Sequence, residues 1–371
     1  MRVLVCTVVH HPADARIYFR QIRALLEAGH QVTYIAPFGE PGAPVRTEKE
    51  DFPERAGPSL TTVTIPRAVG RRRLSALRAA RAALAEYAPH ADLLLVHDPE
   101  LLLVLPPRRK RPPTVWDVHE DTAAALTTKA WLPSFARPVA AGGVAFAERL
   151  AERRLHLILA EHGYNARFRR THPVVPNTTY VPDSAAPPSG PRRVVYVGHI
   201  SPDRGSAEMV SLARLLAPHG IAVELIGPAD AAARAHIEAA GDLVHWHGFV
   251  PNAEALRLTE GALAGLSLLH DEANFRPSMP TKVVEYMARG VPVITTPLPL
   301  AVDLVESADC GFVVPFGDVA AAADAVLRLD RDPGLRAKMG LRGHDAAKES
   351  LGWPADARAF VAQLEAWAGQ R

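Results

Sequence analysis

The sequence predicts an α/β protein built from two doubly wound, Rossmann-like domains, each with a sheet of parallel strands. Short apolar runs alternate with amphipathic helical patterns along the chain, which is typical of βαβ units. This alternation stops in a proline-rich segment at 181–191 and begins again at Arg193. At 371 residues the chain is also longer than one hydrophobic core normally serves. We therefore expect two domains rather than one.

The individual elements follow from the period of the apolar residues. In the first half, strands are expected at Val3–Val9, Val32–Ala36, Leu93–His97 and Val115–Val118, and helices at Ala15–Ala28 and Leu74–Ala88. In the second half, strands are expected at Arg193–Val197, Val223–Ile226, Leu243–Trp246, Ala264–Leu269 and Val291–Thr295, and helices at Ser206–Ala217, Pro280–Arg289 and Pro354–Ala368. Pro280 suits the first turn of its helix, and Gly290 suits the left-handed residue that ends it.

Composition and charge narrow the possible partners. The chain is 48% hydrophobic and 22% charged, as in ordinary soluble proteins. Its N-terminus leads directly into a strand, without the features of a signal peptide, so a cytoplasmic location is expected. Residues 1–180 carry 25 Lys and Arg against 17 Asp and Glu, a net +8, and the remainder carries 17 against 23, a net −6.

The positive charge of the first half is concentrated in clusters at 71–73, 108–111, 153–154 and 169–170. These clusters are interpreted either as solvated surface or as a peripheral contact with an anionic membrane at its inner face. They are scattered over loops without interleaved aromatic residues, which argues against a nucleic-acid partner.

A polar loop followed by a helix at Pro280 carries the clearest binding site. The loop contains Ser278 and Met279, and it faces the unpaired backbone N–H groups and the positive end of the helix dipole, which favour phosphate. Lys282 is expected to add a full positive charge there. Glu285, about one turn further in, suits sugar hydroxyls better than phosphate. We therefore expect this helix to bind a nucleoside diphosphate.

Histidines and acidic residues follow the predicted strands of the first half, where ligands of parallel sheets bind. They are His10, His11, Asp14 and Arg16 after the first strand, His97 and Asp98 after the third, and Asp117 and His119 at the fourth. One interpretation is a substrate site, in which Asp14 also caps the following helix. The other is a metal-dependent hydrolase, with His97, Asp98, Asp117 and His119 around a divalent ion. The histidines of the first half contain no His-x-His or His-Glu-x-x-His spacing, which favours the first interpretation.

Several segments together resemble the retaining, family-4-type glycosyltransferases of the GT-B fold, also called glycosyltransferase group 1. The segments are His-Asp-Pro-Glu at 97–100, Asp-Val-His-Glu-Asp at 117–121, Gly-His-Ile-Ser-Pro-Asp-Arg-Gly at 198–205 and Ser-Met-Pro-Thr-Lys-Val-Val-Glu-Tyr-Met-Ala at 278–288. The resemblance implies two domains whose sheets face a central cleft: an acceptor domain at 1–180 and a donor domain at 181–352. A C-terminal helix at 353–371 would cross back onto the first domain. Pro277 stands where the family has a glutamate that usually touches the donor sugar.

By this resemblance, the chain moves a sugar from a nucleoside diphosphate sugar to a glycan, lipid-linked or natural-product hydroxyl, with retention of configuration and without a metal or other cofactor. The expected catalytic residues are His119, Arg204 and Lys282. The expected donor-binding residues are Gly198, Arg204, Gly227, Phe249, Val250, Ser278, Met279, Pro280, Thr281, Lys282 and Glu285. Those on the acceptor side are His10, His11, Asp14, Arg16, His97 and His119. A sugar-nucleotide epimerase or hydrolase and a non-catalytic nucleotide-sugar binder stay open as alternatives.

Overall fold

The computed structural model describes residues 1–39, 59–119, 137–187 and 191–370. The chain divides into two units. Unit 1 comprises Met1–Pro176 and Pro354–Arg371, and unit 2 comprises Asn177–Trp353.

Six parallel strands form the sheet in the described part of unit 1, in the order β3-β2-β1-β4-β5-β6. They are β1 (Arg2–Cys6), β2 (Gln31–Ala36), β3 (Leu60–Thr64), β4 (Leu93–Val96), β5 (Thr114–Val118) and β6 (His156–Leu159). Every residue of β4 and β5 is buried, as expected for parallel strands covered on both faces. The strand order reverses between β1 and β4, and such a switch point is where ligands of open parallel sheets bind.

The main helices of unit 1 are Arg23–Glu27, which continues a π-helical segment at Ile17–Ile22, then Arg73–Tyr87 and Arg137–Glu152, and finally the helix Trp353–Ala368. From Pro354 onward, this last helix packs within unit 1. The ring of Trp367 stacks on His156 with centroids 4.6 Å apart, and Phe360 and Leu364 are fully buried. No helix of the described residues has the length and apolar composition needed to span a membrane.

Unit 2 contains a second sheet, whose described strands number six and are parallel, in the order β12-β11-β10-β7-β8-β9. They are β7 (Arg193–Val197), β8 (Ala222–Ile226), β9 (Val244–Trp246), β10 (Ala264–Ser267), β11 (Val293–Thr295) and β12 (Gly311–Val313). The helices between and after them are Ser206–Leu216, Ala231–Ala240, Asn252–Thr259, Thr281–Ala288, Pro299–Ala308, Val319–Arg331 and Pro333–Ser350. The switch point of this sheet lies between β10 and β7.

The two parallel sheets confirm the predicted fold class, and each predicted strand is present with boundaries shifted by a few residues. Sequence reasoning missed β3, β6 and β12. Strand β3 is mostly exposed threonine, and β12 has three residues and starts with a glycine. A Cβ on Gly311 would lie 2.0 Å from the carbonyl oxygen of Val293, so the close pairing of β12 with β11 requires glycine at this position. Glycine is uncommon within strands, so it also weakens the sequence pattern that would predict β12.

Candidate functional site

Two glycines bring the carboxyl ends of β7 and β8 together in unit 2. Gly198 and Gly227 have φ angles of 120° and 137°. A Cβ on Gly227 would lie 2.1 Å from the carbonyl oxygen of Gly198, so a side chain is excluded there. A Cβ on Gly198 would lie 3.9 Å from Cε of Lys282. The glycine turns therefore border the lysine that the sequence assigns to phosphate.

Arg204 ends the turn that follows β7, and its position is set by tight backbone packing. Gly205 has a φ of 84°, and a Cβ there would lie 2.4 Å from the carbonyl oxygen of Leu268. The guanidinium carbon of Arg204 lies 5.4 Å from the centroid of the Phe275 ring. Burial raises the pKa of Tyr196 to about 12, although the neighbouring charge of Arg204 lowers it. Arg204 is thus held between two aromatic side chains.

Lys282 lies in the first turn of the helix Thr281–Ala288 and is only 7% exposed. Its Nζ lies 4.9 Å from the centroid of the Tyr196 ring. Burial, followed by repulsion from Arg204, lowers the pKa of Lys282 to about 7, against the attraction of Glu285. Burial beside Arg204 therefore disfavours the positive charge that the sequence reasoning assigned to this lysine.

The start of this helix offers backbone N–H groups to a ligand. The helix begins at Thr281, so Pro280 precedes its first turn instead of lying within it. In the described part of unit 2, no side chain caps this terminus, and the first turn has no acidic residue. Ser278 and Met279 form the half-buried loop before it. An anion at this position would meet the helix dipole, Lys282 and Arg204 together.

Binding of a diphosphate beside Lys282 should raise the pKa of this lysine, so that the protein takes up a proton. We expect roughly one proton per bound nucleoside diphosphate at pH 8, and an affinity that falls as pH rises above 7. Calorimetry in buffers of different ionisation enthalpy measures the uptake. Lys282→Met should abolish it; an unchanged uptake in this variant would assign the proton to another group.

Glu285 lies one turn further along the helix and is buried. Its Oε1 accepts a hydrogen bond of 3.4 Å from the side-chain amide of Asn252, at the end of the loop that follows β9. In this loop Phe249 is 37% exposed, and Val250 packs against the core beside the helix. The carboxylate and the apolar loop residues thus lie at one end of the site, while the two cations lie at the other.

Tyr286 fixes the helix on the sheet. Its hydroxyl accepts a hydrogen bond of 2.9 Å from the backbone N–H of Val197 and donates one of 3.1 Å to the carbonyl oxygen of Leu266. Gly265 leaves room for the ring, because a Cβ there would lie 2.3 Å from it. Lys282 and Glu285 are three residues apart on this helix and are therefore neighbours on its surface.

Asp98 holds the loop after β1 in unit 1. Its Oδ2 accepts hydrogen bonds from the hydroxyl of Thr7 at 2.8 Å and from the backbone N–H groups of Val8 and Val9, and its Oδ1 lies 2.7 Å from Nδ1 of His10. Burial raises the pKa of Asp98, but the hydrogen bonds from His10, Val8 and Thr7 hold it well below the usual range. The carboxylate is therefore ionised at neutral pH.

Asp117 is buried and has several hydrogen-bond partners within this unit. Arg16 donates two hydrogen bonds to its carboxylate, of 2.6 and 2.7 Å, Gln21 donates one of 3.0 Å, and Nδ1 of His97 lies 3.2 Å away. Arg16 and Asp117 are both buried. Burial raises the pKa of Asp117, while Arg16 lowers it more strongly, and the net pKa is well below its usual value.

His10 and His119 contact each other through their Nε2 atoms, which lie 3.0 Å apart. Nδ1 of His10 donates to Asp98, and Nδ1 of His119 donates to the backbone oxygen of Asp117 at 3.1 Å. Asp98 and the backbone oxygen of Asp117 are acceptors, so each Nδ1 is the donor in these contacts, and the two Nε2 atoms face each other.

A metal site is the alternative use of this cluster. His97, Asp117 and His119 offer ligand atoms within 4.8 Å of one another, whereas Asp98 lies outside this group. Both oxygens of Asp117, however, already accept hydrogen bonds from Arg16. A guanidinium at this distance would repel a divalent cation, so the arrangement fits an internal ion pair better than a metal site.

The other residues expected on the acceptor side order the loop after β1. Nδ1 of His11 accepts a hydrogen bond of 3.1 Å from the backbone N–H of Ala13. Oδ1 of Asp14 accepts from the backbone N–H groups of Arg16 and Ile17, at 2.9 and 3.0 Å, and so caps the following helix. Burial, and then the charge of Arg67, lowers the pKa of His11.

Sequence reasoning missed several residues that contact the predicted site residues in both units. Tyr196 lies inside an apolar strand and reads as core, and Gln21 lies inside a helical pattern. Asn252 and Thr7 have no motif of their own. Their roles depend on contacts between elements far apart in sequence, such as the 33 residues between Asn252 and Glu285.

Comparisons with known proteins identify a similar family and a similar fold. Residues 181–345 match the family described as glycosyl transferases group 1. Sucrose-phosphate synthase from Thermosynechococcus elongatus superposes with a TM-score of 0.70 at 20% identity, covering 98% of each chain. HepE of Anabaena, solved with UDP and glucose, gives 0.67 at 15% identity over 99% of this chain and 100% of that one.

A third solved structure is WaaG, a glycosyltransferase involved in lipopolysaccharide biosynthesis. It gives a TM-score of 0.67 at 14% identity over 97% of this chain and 98% of that one. No curated protein sequence matches the chain at a significant level. The structural likeness confirms the expected two-domain fold.

Proposed function

We propose that this chain, whose residues 181–345 match glycosyl transferases group 1 and whose fold resembles those of the glycosyltransferases above, transfers a sugar from a nucleoside diphosphate sugar to an acceptor hydroxyl with retention of configuration. Residues 181–352 would bind the donor and residues 1–180 the acceptor, with the helix at 353–371 completing the acceptor domain. The observation that carries the proposal is the arrangement of Arg204 and Lys282 at a helix start, with Glu285 one turn further in. The complex of HepE with UDP and glucose supports this class of donor.

In the proposed reaction, the bond between the sugar and the diphosphate breaks and negative charge grows on the leaving phosphate. Arg204, protonated Lys282 and the N–H groups at Thr281 would stabilise this charge, which replaces the electrostatic role of a metal ion. The acceptor hydroxyl would attack from the face that the phosphate leaves and pass its proton to the phosphate. His119, whose Nε2 lies 3.0 Å from Nε2 of His10, would contact the reacting hydroxyl.

The alternatives fit the donor site less well. A sugar-nucleotide epimerase needs acid–base carboxylates around the sugar, and Pro277 stands in place of one carboxylate of the family motif. A metal-dependent hydrolase would have to bind its cation beside Arg16. A non-catalytic binder shares the donor contacts, so transfer of sugar to an acceptor in a cell extract distinguishes it from a transferase.

The test of the donor site is the affinity of Glu285→Ala for nucleoside diphosphates. We expect this variant to bind its preferred nucleotide about 10-fold to 100-fold more weakly, because a buried carboxylate that hydrogen-bonds a ligand hydroxyl contributes roughly 1.5–3 kcal/mol. A calorimetric panel of UDP, GDP, ADP and TDP with the wild type first identifies the base. Glu306→Ala, at an exposed site of the same unit, is the matched control. Unchanged affinity in a folded Glu285→Ala would remove Glu285 from the donor site.

We also propose that unit 1 contacts an anionic membrane at its cytoplasmic face. Leu103 and Leu74 are 80% and 69% exposed, and Leu74 follows the basic cluster at 71–73 directly. Arg73 is paired with Glu100 of the turn that carries Leu103, at 2.9 Å, so basic and apolar surface adjoin each other. This combination is typical of peripheral membrane binding.

Cosedimentation with vesicles tests this contact. We expect binding to acidic but not neutral vesicles at low salt, and release near physiological ionic strength, where charges are screened beyond about 8 Å. Leu103→Ser should weaken the binding, whereas Leu341→Ser, at an exposed leucine of unit 2, should not. Equal retention on both kinds of vesicle would contradict the proposal.

A further inference from the structure

Unit 1 contains a cavity of about 1110 Å³ on one face of its sheet. Trp116 and Val118 of β5 line the sheet side, and Gly143, Val144 and Ala147 line the side of the helix Arg137–Glu152. The apolar residues Leu102, Leu105 and Pro106, from the segment that connects β4 to β5, also line it. Pockets for small ligands are usually about 300–1,000 Å³. The cavity can therefore hold a long ligand with much apolar surface.

The two ends of this cavity differ in chemistry. His10, His97 and His119 line it at the carboxyl ends of β1, β4 and β5. Arg111 and Arg154 also line it, and they precede the amino ends of β5 and β6. A strand of five residues spans roughly 16 Å. The cavity thus runs along β5 from a histidine end to an arginine end.

Three lining residues have buried nitrogens that are unpaired within the described residues. They are His97 through Nε2, Trp116 through Nε1, and Arg111 through Nε and Nη1. Buried polar groups in folded proteins normally have a hydrogen-bond partner. His97 and Trp116 are 2% exposed and present almost no surface to the cavity, whereas Arg111 is half-buried and borders both this cavity and the adjoining pocket. Arg111 is therefore the lining residue with unpaired nitrogens that a ligand can contact.

Charge identifies the arginine end as a site for an anion. The carboxylates in the lining are already paired: Asp98 with His10, Glu100 with Arg73, and Glu148 with Arg167. Arg108, Arg111 and Arg154 also border an adjoining pocket of about 520 Å³, together with Arg109 and Lys110. The described lining of that pocket includes no carboxylate. Burial, and then repulsion from Arg108, lowers the pKa of Arg111, and a bound anion would relieve that repulsion.

We propose that the cavity binds an amphiphile with a phosphate group and an apolar chain. The chain lies along Trp116 and Val118, and the phosphate binds Arg111 and Arg154. The proposal rests on the proposed function, in which this amphiphile is the sugar acceptor and presents its hydroxyl at the histidine end. Of the three acceptor classes expected from the family resemblance, glycan, lipid-linked and natural-product, the proposal favours a lipid-like phosphate.

Calorimetry with hexyl, heptyl and octyl phosphate, each below its micelle concentration, tests both parts of the ligand. Each added methylene should strengthen binding about fourfold, because burial of a methylene contributes about 0.8 kcal/mol. Inorganic phosphate has no alkyl chain, and octyl glucoside has the chain but no phosphate. Each should bind at least tenfold more weakly than octyl phosphate. Octanoate distinguishes phosphate from carboxylate and should also bind more weakly. Affinity that does not depend on chain length, or equal binding of octyl glucoside, would overturn the proposal.

Two adjacent glycines provide a matched pair of variants. A Cβ at Gly142 or at Gly143 would meet no atom within 4 Å, so a side chain at either position leaves the helix intact. Only Gly143 lines the cavity. Gly143→Phe should weaken octyl phosphate at least tenfold, whereas Gly142→Phe should bind like the wild type. Equal affinity of the two variants would contradict the assignment of the chain to this cavity.

A second pair tests the phosphate contact. Arg111 lines both pockets, whereas Arg109 lines only the smaller one. Arg111→Gln should reduce the preference for octyl phosphate over octyl glucoside at least tenfold, and Arg109→Gln should reduce it less than threefold. If both variants keep the preference, the phosphate does not bind at Arg111.

Nucleotide binding, sugar transfer and alkyl phosphate binding, measured together, distinguish a failure of this inference from a failure of the proposed function. Gly143→Phe should keep the nucleoside diphosphate affinity of the wild type, since the donor residues belong to unit 2. Absence of alkyl phosphate binding in a chain that still transfers sugar would overturn the acceptor proposal alone. Binding of alkyl phosphates by a chain that binds no nucleotide would overturn the proposed function and leave the cavity as an amphiphile site.

Discussion

Replacing Arg204 by alanine is expected to lower kcat about 10²-fold to 10³-fold while weakening donor binding much less. The reason is that charge on the leaving phosphate is larger in the transition state than in the bound donor, and loss of one preorganised donor to such a charge raises the barrier by roughly 2.7–4 kcal/mol. Steady-state kinetics and calorimetry with the donor, both in EDTA, separate the two effects. On a metal-independent mechanism, EDTA leaves the wild-type rate unchanged.

Arg276→Ala is the matched control for this prediction. Arg276 is exposed, lies next to Phe275 in the same unit and pairs with the exposed Asp271. We expect its kcat to stay within a fewfold of the wild type. If Arg204→Ala weakens donor binding as much as it lowers kcat/KM, Arg204 binds the ground state and the transition state equally, and its assignment to the leaving group is wrong.

Arg16→Ala is expected to destabilise unit 1 by about 3–5 kcal/mol, because it leaves the buried carboxylate of Asp117 without its main counter-charge. The side chain of Arg16 is only 5% exposed, so water cannot replace the guanidinium. Urea denaturation followed by circular dichroism measures the loss. Arg2→Ala, which breaks the exposed pair with Asp92, should cost less than about 1 kcal/mol.

A loss below about 1 kcal/mol for Arg16→Ala would show that Asp117 does not depend on this pair. The expected loss also bears on the acceptor side. Asp117 contacts His97 directly and His119 through its backbone oxygen, so Arg16 acts on the histidines through Asp117. The sequence places Arg16 on the acceptor side, and we propose instead that it is a positioning residue.

The parts of the fold with a long periodic pattern could be predicted from the sequence. The helix after Pro280 and the strand at Arg193–Val197 are examples, since caps and apolar runs are local signals. Short or exposed strands such as β3 and β12 lack these signals. The site motifs were also recognisable, because Lys282 and Glu285 lie a fixed number of residues apart on one helix.

The electrostatic state of those residues was not predictable in the same way. The reduced charge of Lys282 results from burial and from Arg204, which is 78 residues away in sequence. The contact between His10 and His119 likewise joins rings that follow two different strands, β1 and β5. The arginine end of the acceptor cavity depends on Arg111 and Arg154, which the sequence identifies only as members of basic clusters.

The pKa of Lys282 near 7 has a consequence for turnover. The nucleoside diphosphate that leaves the enzyme carries one more ionisable phosphate oxygen than the donor, so it attracts the protonated lysine more strongly than the donor does. By the proton uptake predicted above, the lysine is protonated in the nucleotide complex and returns its proton to solvent only when the nucleotide dissociates. Release of the nucleoside diphosphate is therefore expected to be coupled to release of a proton. A higher pH then favours the dissociated state, so inhibition by the spent nucleotide should weaken above pH 7.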